Sequence, residues 1–112
     1  MDNLQCATRE QGSWKIFVLS GRLDRINADE TGKQGDELLA AQDRLAVDLS
    51  GLEYISSAGL RILLRLAKGA KAAGKSFVLC GATGFVQEVL EDSNMDVLVD
   101  MYADASQLPE NG

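Results

Sequence analysis

Arg44-Leu45-Ala46-Val47-Asp48-Leu49 is a short, mainly apolar run; Ser50-Gly51-Leu52-Glu53-Tyr54-Ile55 follows it, and from Ser57 a long helical pattern takes over. Strand, turn and helix in that order make a crossover unit, which is how parallel strands are joined. Upstream, the loose alternation of Leu4 to Arg9 and the β-branched and aromatic run Trp14-Lys15-Ile16-Phe17-Val18-Leu19 flank Glu10-Gln11-Gly12-Ser13, the spacing of two strands joined by a short hairpin. Between them and Arg44, the stretch from Asn27 to Ala41 reads as a helix with acids near its start, although Gly32 and Gly35 weaken its early turns. Downstream, Ser76 to Cys80 reads as a strand, Thr83 to Glu91 as a helix capped by Thr83, and Val97 to Met101 as a last strand. A short helix from Ala103 to Leu108 and a polar tail at 109–112 complete the chain. The expected fold is α/β: one domain over 1–112, a mixed, largely parallel sheet of about five strands, and helices packed mainly on one face.

The composition narrows the function. A chain of 112 residues with 46% hydrophobic and 25% charged residues can bury one core unaided. Seventeen acidic against eleven basic residues leave a net charge of −6, which repels nucleic-acid phosphates and anionic lipid surfaces. Histidine is absent, which removes Ser-His-Asp and Cys-His catalysis, and the two cysteines, Cys6 and Cys80, are too far apart in sequence to suggest a zinc cluster or a dithiol motif. Two buried, reduced thiols are expected. Neither a signal-peptide layout nor an apolar run of membrane-spanning length is present, so the expectations are a cytoplasmic protein with no membrane insertion, no direct nucleic-acid contact, no cofactor and no metal.

The helix after Ser57 is more apolar than one packed face requires. At about 100° per residue, Leu60, Leu63, Leu64, Ala67 and Ala70 form one stripe, Ile62, Leu66 and Ala73 widen it, and Arg61, Arg65 and Lys68 lie opposite. Ile62 and Leu66 therefore meet a neighbouring helix, which is the favoured reading, or border a partner surface. On the same wheel Ser57 sits beside Arg61 and is accessible, whereas Ser56 faces inward. Ser57 reads as a helix cap or, functionally, as a hydroxyl open to phosphorylation at a helix start. A serine nucleophile would need a base, and no Ser-x-x-Lys pattern supplies one, since three residues beyond Ser57 stands Leu60. Gly81-Ala82-Thr83-Gly84 suggests a phosphate-binding turn only vaguely, lacking the lysine of a P-loop, and a Thr-capped turn is the better reading.

Val47-Asp48-Leu49-Ser50-Gly51-Leu52-Glu53-Tyr54-Ile55-Ser56-Ser57-Ala58-Gly59-Leu60 strongly resembles the signature of STAS domains, specifically bacterial anti-sigma factor antagonists, and Gly21-Arg22-Leu23-Asp24 is similar to that family's other recurrent segment. The resemblance implies a non-enzymatic binding protein that captures an anti-sigma factor, usually a serine protein kinase, and so frees a sigma factor. Phosphorylation by that kinase breaks the capture, and a serine phosphatase restores it. Aligning the family's Asp-Ser-Ser-Gly arrangement on Gly59 places the phosphorylated hydroxyl on Ser57; here Ser56 stands in place of the acid and Ala58 in place of the second serine. The partner surface implied comprises Asp24, Ser56, Ser57, Ala58, Gly59 and Arg61, with Ile62 and Leu66 added from the wheel. A constitutive scaffold, or a subunit of a stress-sensing or lipid-transport complex, is the alternative.

Overall fold

The computed structural model describes residues 3–109; the last three residues of the expected polar tail lie outside them. Strands β1 (Leu4–Gln11) and β2 (Trp14–Leu23) form the expected hairpin, turning through Gly12 at φ 59°. Then follow α1 (Ala28–Ala41), β3 (Arg44–Ile55), α2 (Ser57–Ala72), β4 (Ser76–Cys80), α3 (Gly84–Asp92), α4 (Met95–Leu98), β5 (Met101–Tyr102) and a 3-10 turn (Ala105–Gln107). The five strands lie in the order β1-β2-β3-β4-β5; β1 pairs antiparallel with β2 and the remaining pairs are parallel. No helix among the described residues is long and apolar enough to cross a membrane.

Two strands differ from the sequence expectation. The segment Ser50 to Ile55 is not a turn, because β3 runs on through it and stays paired with β2 across register shifts at Val18/Ser20 and Gly21/Arg22. Gly51 permits this close passage, since a Cβ there would stand 2.7 Å from the Ser20 Oγ. The expected strand from Val97 to Met101 is instead the one-turn α4 followed by the two-residue β5. Asn94, at φ 63°, turns the chain so that Met95 is fully buried while Val97 is 82% exposed, a helical and not an alternating distribution.

The main core fills the helix side of the sheet, where Phe17, Leu19, Val47, Leu49 and Leu79 meet Leu63, Ala70, Val86, Leu90 and Met95. The other side is covered by the C-terminal segment, with Ala105 and Leu108 packed on Trp14, Ile16, Ala46, Val78 and Cys80. The broad apolar arc of α2 has its explanation in α1. A Cβ at Gly35 would lie 2.7 Å from the Leu66 Cδ1, and one at Gly32 would lie 2.9 Å from the Ile62 Cδ1. The glycines that weaken α1 as an isolated helix let it approach α2 closely. Leu66, 1% exposed, is spent in that contact, so it is core and leaves the candidate partner surface; burying it stabilises the fold by about 1.5–3 kcal/mol. Cys80 is buried as expected, but Cys6 is exposed, because edge strand β1 has only Leu4 buried.

Candidate functional site

Parallel strands β2, β3 and β4 all end at one pole of the sheet, so the segments leading into α1, α2 and α3 lie there side by side, with the one after β3 in the middle. The Ser56 backbone N–H donates to the Leu23 carbonyl at 2.9 Å, tying the central segment to its β2 neighbour. The Ser56 Oγ accepts from the Gly59 N–H at 3.2 Å, so the helix cap is Ser56 and not Ser57. Ser57 is the first residue of α2, exposed, and its hydroxyl makes no hydrogen bond among the described residues. The wheel places Ser57 outward correctly; the error in the cap is one residue, which decides which hydroxyl is occupied.

Asp24 is half-buried and works within its own loop. Its Oδ1 accepts from the Ile26 N–H at 3.0 Å and from the Asn27 N–H at 3.3 Å, while the Asn27 Oδ1 accepts from the Asp24 N–H at 2.9 Å. The reciprocal bonds make the four-residue loop a rigid bracket. Beyond it, Arg25 meets Ala58, Arg61, Ile62 and Arg65 around a groove of about 190 Å³ between the starts of α1 and α2. Ala58 and Ile62 are half-exposed and Arg61 is exposed, so these stay on the candidate surface; Gly59 is buried, since a Cβ there would meet the Leu23 Cγ at 2.7 Å.

Two exposed apolar side chains at this pole escaped the sequence reading. Ile26, 86% exposed, projects from the Asp24 bracket, and Phe85, half-exposed at the start of α3, stacks on Tyr54 with ring centroids 5.6 Å apart. The Arg22 guanidinium caps the same Tyr54 ring at 4.2 Å. A signal existed for both: Ile26 is a lone apolar residue in a polar turn, and Phe85 falls outside the stripe of Val86 and Leu90.

The Gly81–Gly84 turn has a packing role. Thr83 occupies the cap position without a side-chain hydrogen bond, and Gly81, at φ 79°, passes so close to Asp48 and Ser50 that a Cβ would be 2.9 Å from each. Asp48 is held by the Ser50 N–H at 2.9 Å and by Arg9 at 3.6 Å. Next to it, burial first and the Asp48 carboxylate second push the Cys80 thiol up from 9.0 to about 11, so it is a neutral core residue.

This pole thus carries an exposed, unbonded hydroxyl at a helix start, with exposed and half-exposed apolar and cationic side chains around it. The family model described as "Mlab, STAS domain" matches residues 6–100. BtrV of Bordetella bronchiseptica, whose name places it among anti-sigma factor antagonists, is 39% identical over 82 residues, covering 70% of this chain and 68% of BtrV. An anti-sigma factor antagonist from Mycobacterium paratuberculosis superposes with a TM-score of 0.85 at 17% identity, over 92% of this chain and 88% of the other. SpoIIAA of Bacillus, solved in its phosphorylated form, superposes with a TM-score of 0.72 at 14% identity, over 92% and 95%. The chain belongs to the STAS-domain family of anti-sigma factor antagonists.

Proposed function

We propose that this protein captures an anti-sigma factor of the serine-kinase type in the cytoplasm, thereby freeing a sigma factor, and that phosphorylation of Ser57 ends the capture. The observation that carries this reading is the division of labour between the two serines. Ser56 caps α2, leaving Ser57 exposed and unbonded, so a phosphate can be added without dismantling the helix start. The fold it shares with SpoIIAA, a protein solved in a phosphorylated form, supports the same reading. Asp24 serves the surface by bracing its loop, and Ala58, Arg61, Ile62, Ile26 and Phe85 make the contacts.

The phosphate brings about −1.5 to −2 charges and a strongly hydrated group into the middle of that surface. Desolvating it against the partner at a cost of ~3 kcal/mol weakens binding more than a hundredfold. No refolding is needed. With the cognate kinase and ATP, site-resolved mass spectrometry should find one phosphate, on Ser57, and the phosphorylated chain should lose the partner by about that factor, while Ser57→Ala keeps the partner and takes no phosphate. Phosphate on Ser56 or Thr83, or undiminished binding after modification, overturns the reading. The replacement of the acid by Ser56 and of the second serine by Ala58 favours one competitor, a constitutive scaffold. That reading gains if no kinase from the source cell modifies the chain and subunits of a transport complex co-purify with it.

A further inference from the structure

We infer that the groove between the starts of α1 and α2 receives an acidic segment of the partner, with Arg25 and Arg61 as its carboxylate-binding residues; this rests on the reading of the Ser57 pole as the partner surface. In a chain of net charge −6, three arginines, Arg25, Arg61 and Arg65, line one groove against a single lining carboxylate, Asp29. Arg65 is already engaged, its Nη1 lying 2.8 Å from the Asp36 Oδ2. Among the described residues Arg25 and Arg61 are in no ion pair, so their charges are available.

Both are carried on fixed backbone. Arg25 stands in the bracket held by Asp24 and Asn27, and Arg61 stands one turn beyond Ser57 on the same side of α2. Rigid carriers reduce the entropy lost when a partner orders the side chains. Guanidinium groups pair carboxylates two bonds at a time, and half-exposed Ala58 and Ile62 give the groove an apolar floor. The chemistry fits a short segment of Asp or Glu residues bearing one apolar side chain. It also adds a step to the switch, because a phosphate on Ser57 lies one turn from Arg61 and competes for the same guanidinium groups.

The test uses the full chain, isotopically labelled for NMR, and three probes: a blocked peptide Glu-Asp-Leu-Glu-Asp, its Gln-Asn-Leu-Gln-Asn counterpart, and inorganic phosphate. The acidic peptide should give saturable shifts at Arg25, Ala58, Arg61 and Ile62, the neutral peptide none, and phosphate a much weaker response. Arg25→Glu with Arg61→Glu should abolish the shifts, and Arg61→Gln should weaken them without reversing the charge. Lys71→Glu at the opposite pole should change nothing. Against the captured anti-sigma factor, the double reversal should weaken affinity by about tenfold or more and flatten its salt dependence. Shifts centred on Lys71 and Lys75, a phosphate response equal to the peptide's, or no saturable response overturns the assignment. The two readings fail separately. If phosphorylation releases the partner but the arginine reversals change neither affinity nor salt dependence, the groove assignment falls and the switch stands. If the peptide fills the groove while phosphorylated protein binds its partner undiminished, the switch falls and the groove stands.

Discussion

The two poles of the sheet are both hollowed, and the larger hollow is not at the pole that carries Ser57. At the amino-terminal ends of the parallel strands, Trp14, Arg44, Lys71, Lys75, Phe77 and Leu98 surround about 500 Å³, against about 190 Å³ beside Ser57. The polar groups of the larger hollow are largely used inside the molecule. The Trp14 indole N–H donates to the Pro109 carbonyl at 2.8 Å, the Arg44 guanidinium lies over the Trp14 ring at 4.9 Å, and Lys75 donates to the Leu39 carbonyl. Gln11 adds a bond to the Ala105 carbonyl at 2.7 Å. That pole fastens the C-terminal segment over the second face of the sheet. At the Ser57 pole, hydrogen bonds hold the loops, while the Ser57 hydroxyl and the Arg25 and Arg61 guanidinium groups have no hydrogen-bond or ion-pair partner among the described residues. The proposed function therefore rests on which polar groups still lack partners and not on the volume of a concavity.

The largest effect that tests this contrast is at Trp14. Trp14→Ala should cost roughly 3 to 5 kcal/mol in urea unfolding, because the side chain is 4% exposed and anchors the second core. Trp14→Phe, which keeps much of the packing and loses the bond to Pro109, should cost less, and neither should alter affinity for the partner in the folded protein. A loss of affinity at native stability would make the larger hollow a binding site and break the contrast.

A smaller effect comes from Cys80 in that same second core. Its thiol titrates near 11 when folded against 9.0 ordinarily, so the folded state holds its proton more tightly. The associated stability is fully present below about pH 9 and is lost as the pH rises through 11, a change of roughly 2 to 3 kcal/mol. Cys80→Ala should flatten this part of the difference between pH 8 and pH 11 in chemical denaturation. An unchanged slope would show that the thiol is not what titrates. Alkylation at pH 8 should modify Cys6 rapidly and Cys80 only after unfolding.

The smallest effect sharpens the contrast inside the Ser57 pole. Ser56→Ala removes a cap and should cost about 0.5–2 kcal/mol, whereas Ser57→Ala removes an unbonded hydroxyl and should stay within about 0.5 kcal/mol. Equal losses in thermal melts would mean that Ser57 also holds the helix, and the division of labour on which the proposed function rests would fail.

By itself the sequence determined the α/β class, the hairpin, the crossover order, the outward position of Ser57 and the poverty of catalytic groups, since each follows from local periodicity or from composition. Only the tertiary structure decided that α1 covers the broad arc of α2, which made Leu66 core, that β3 continues through a segment rich in turn residues, and that the Val97 run coils before its brief pairing with β4. It also brought Arg25 beside Arg61 and gave the cap to Ser56. An apolar stripe records that a face must be covered but not what covers it, and a run of small polar residues records freedom to turn but not whether a neighbouring strand offers pairing. Those outcomes depend on contacts between segments distant in sequence, which close only when the chain packs.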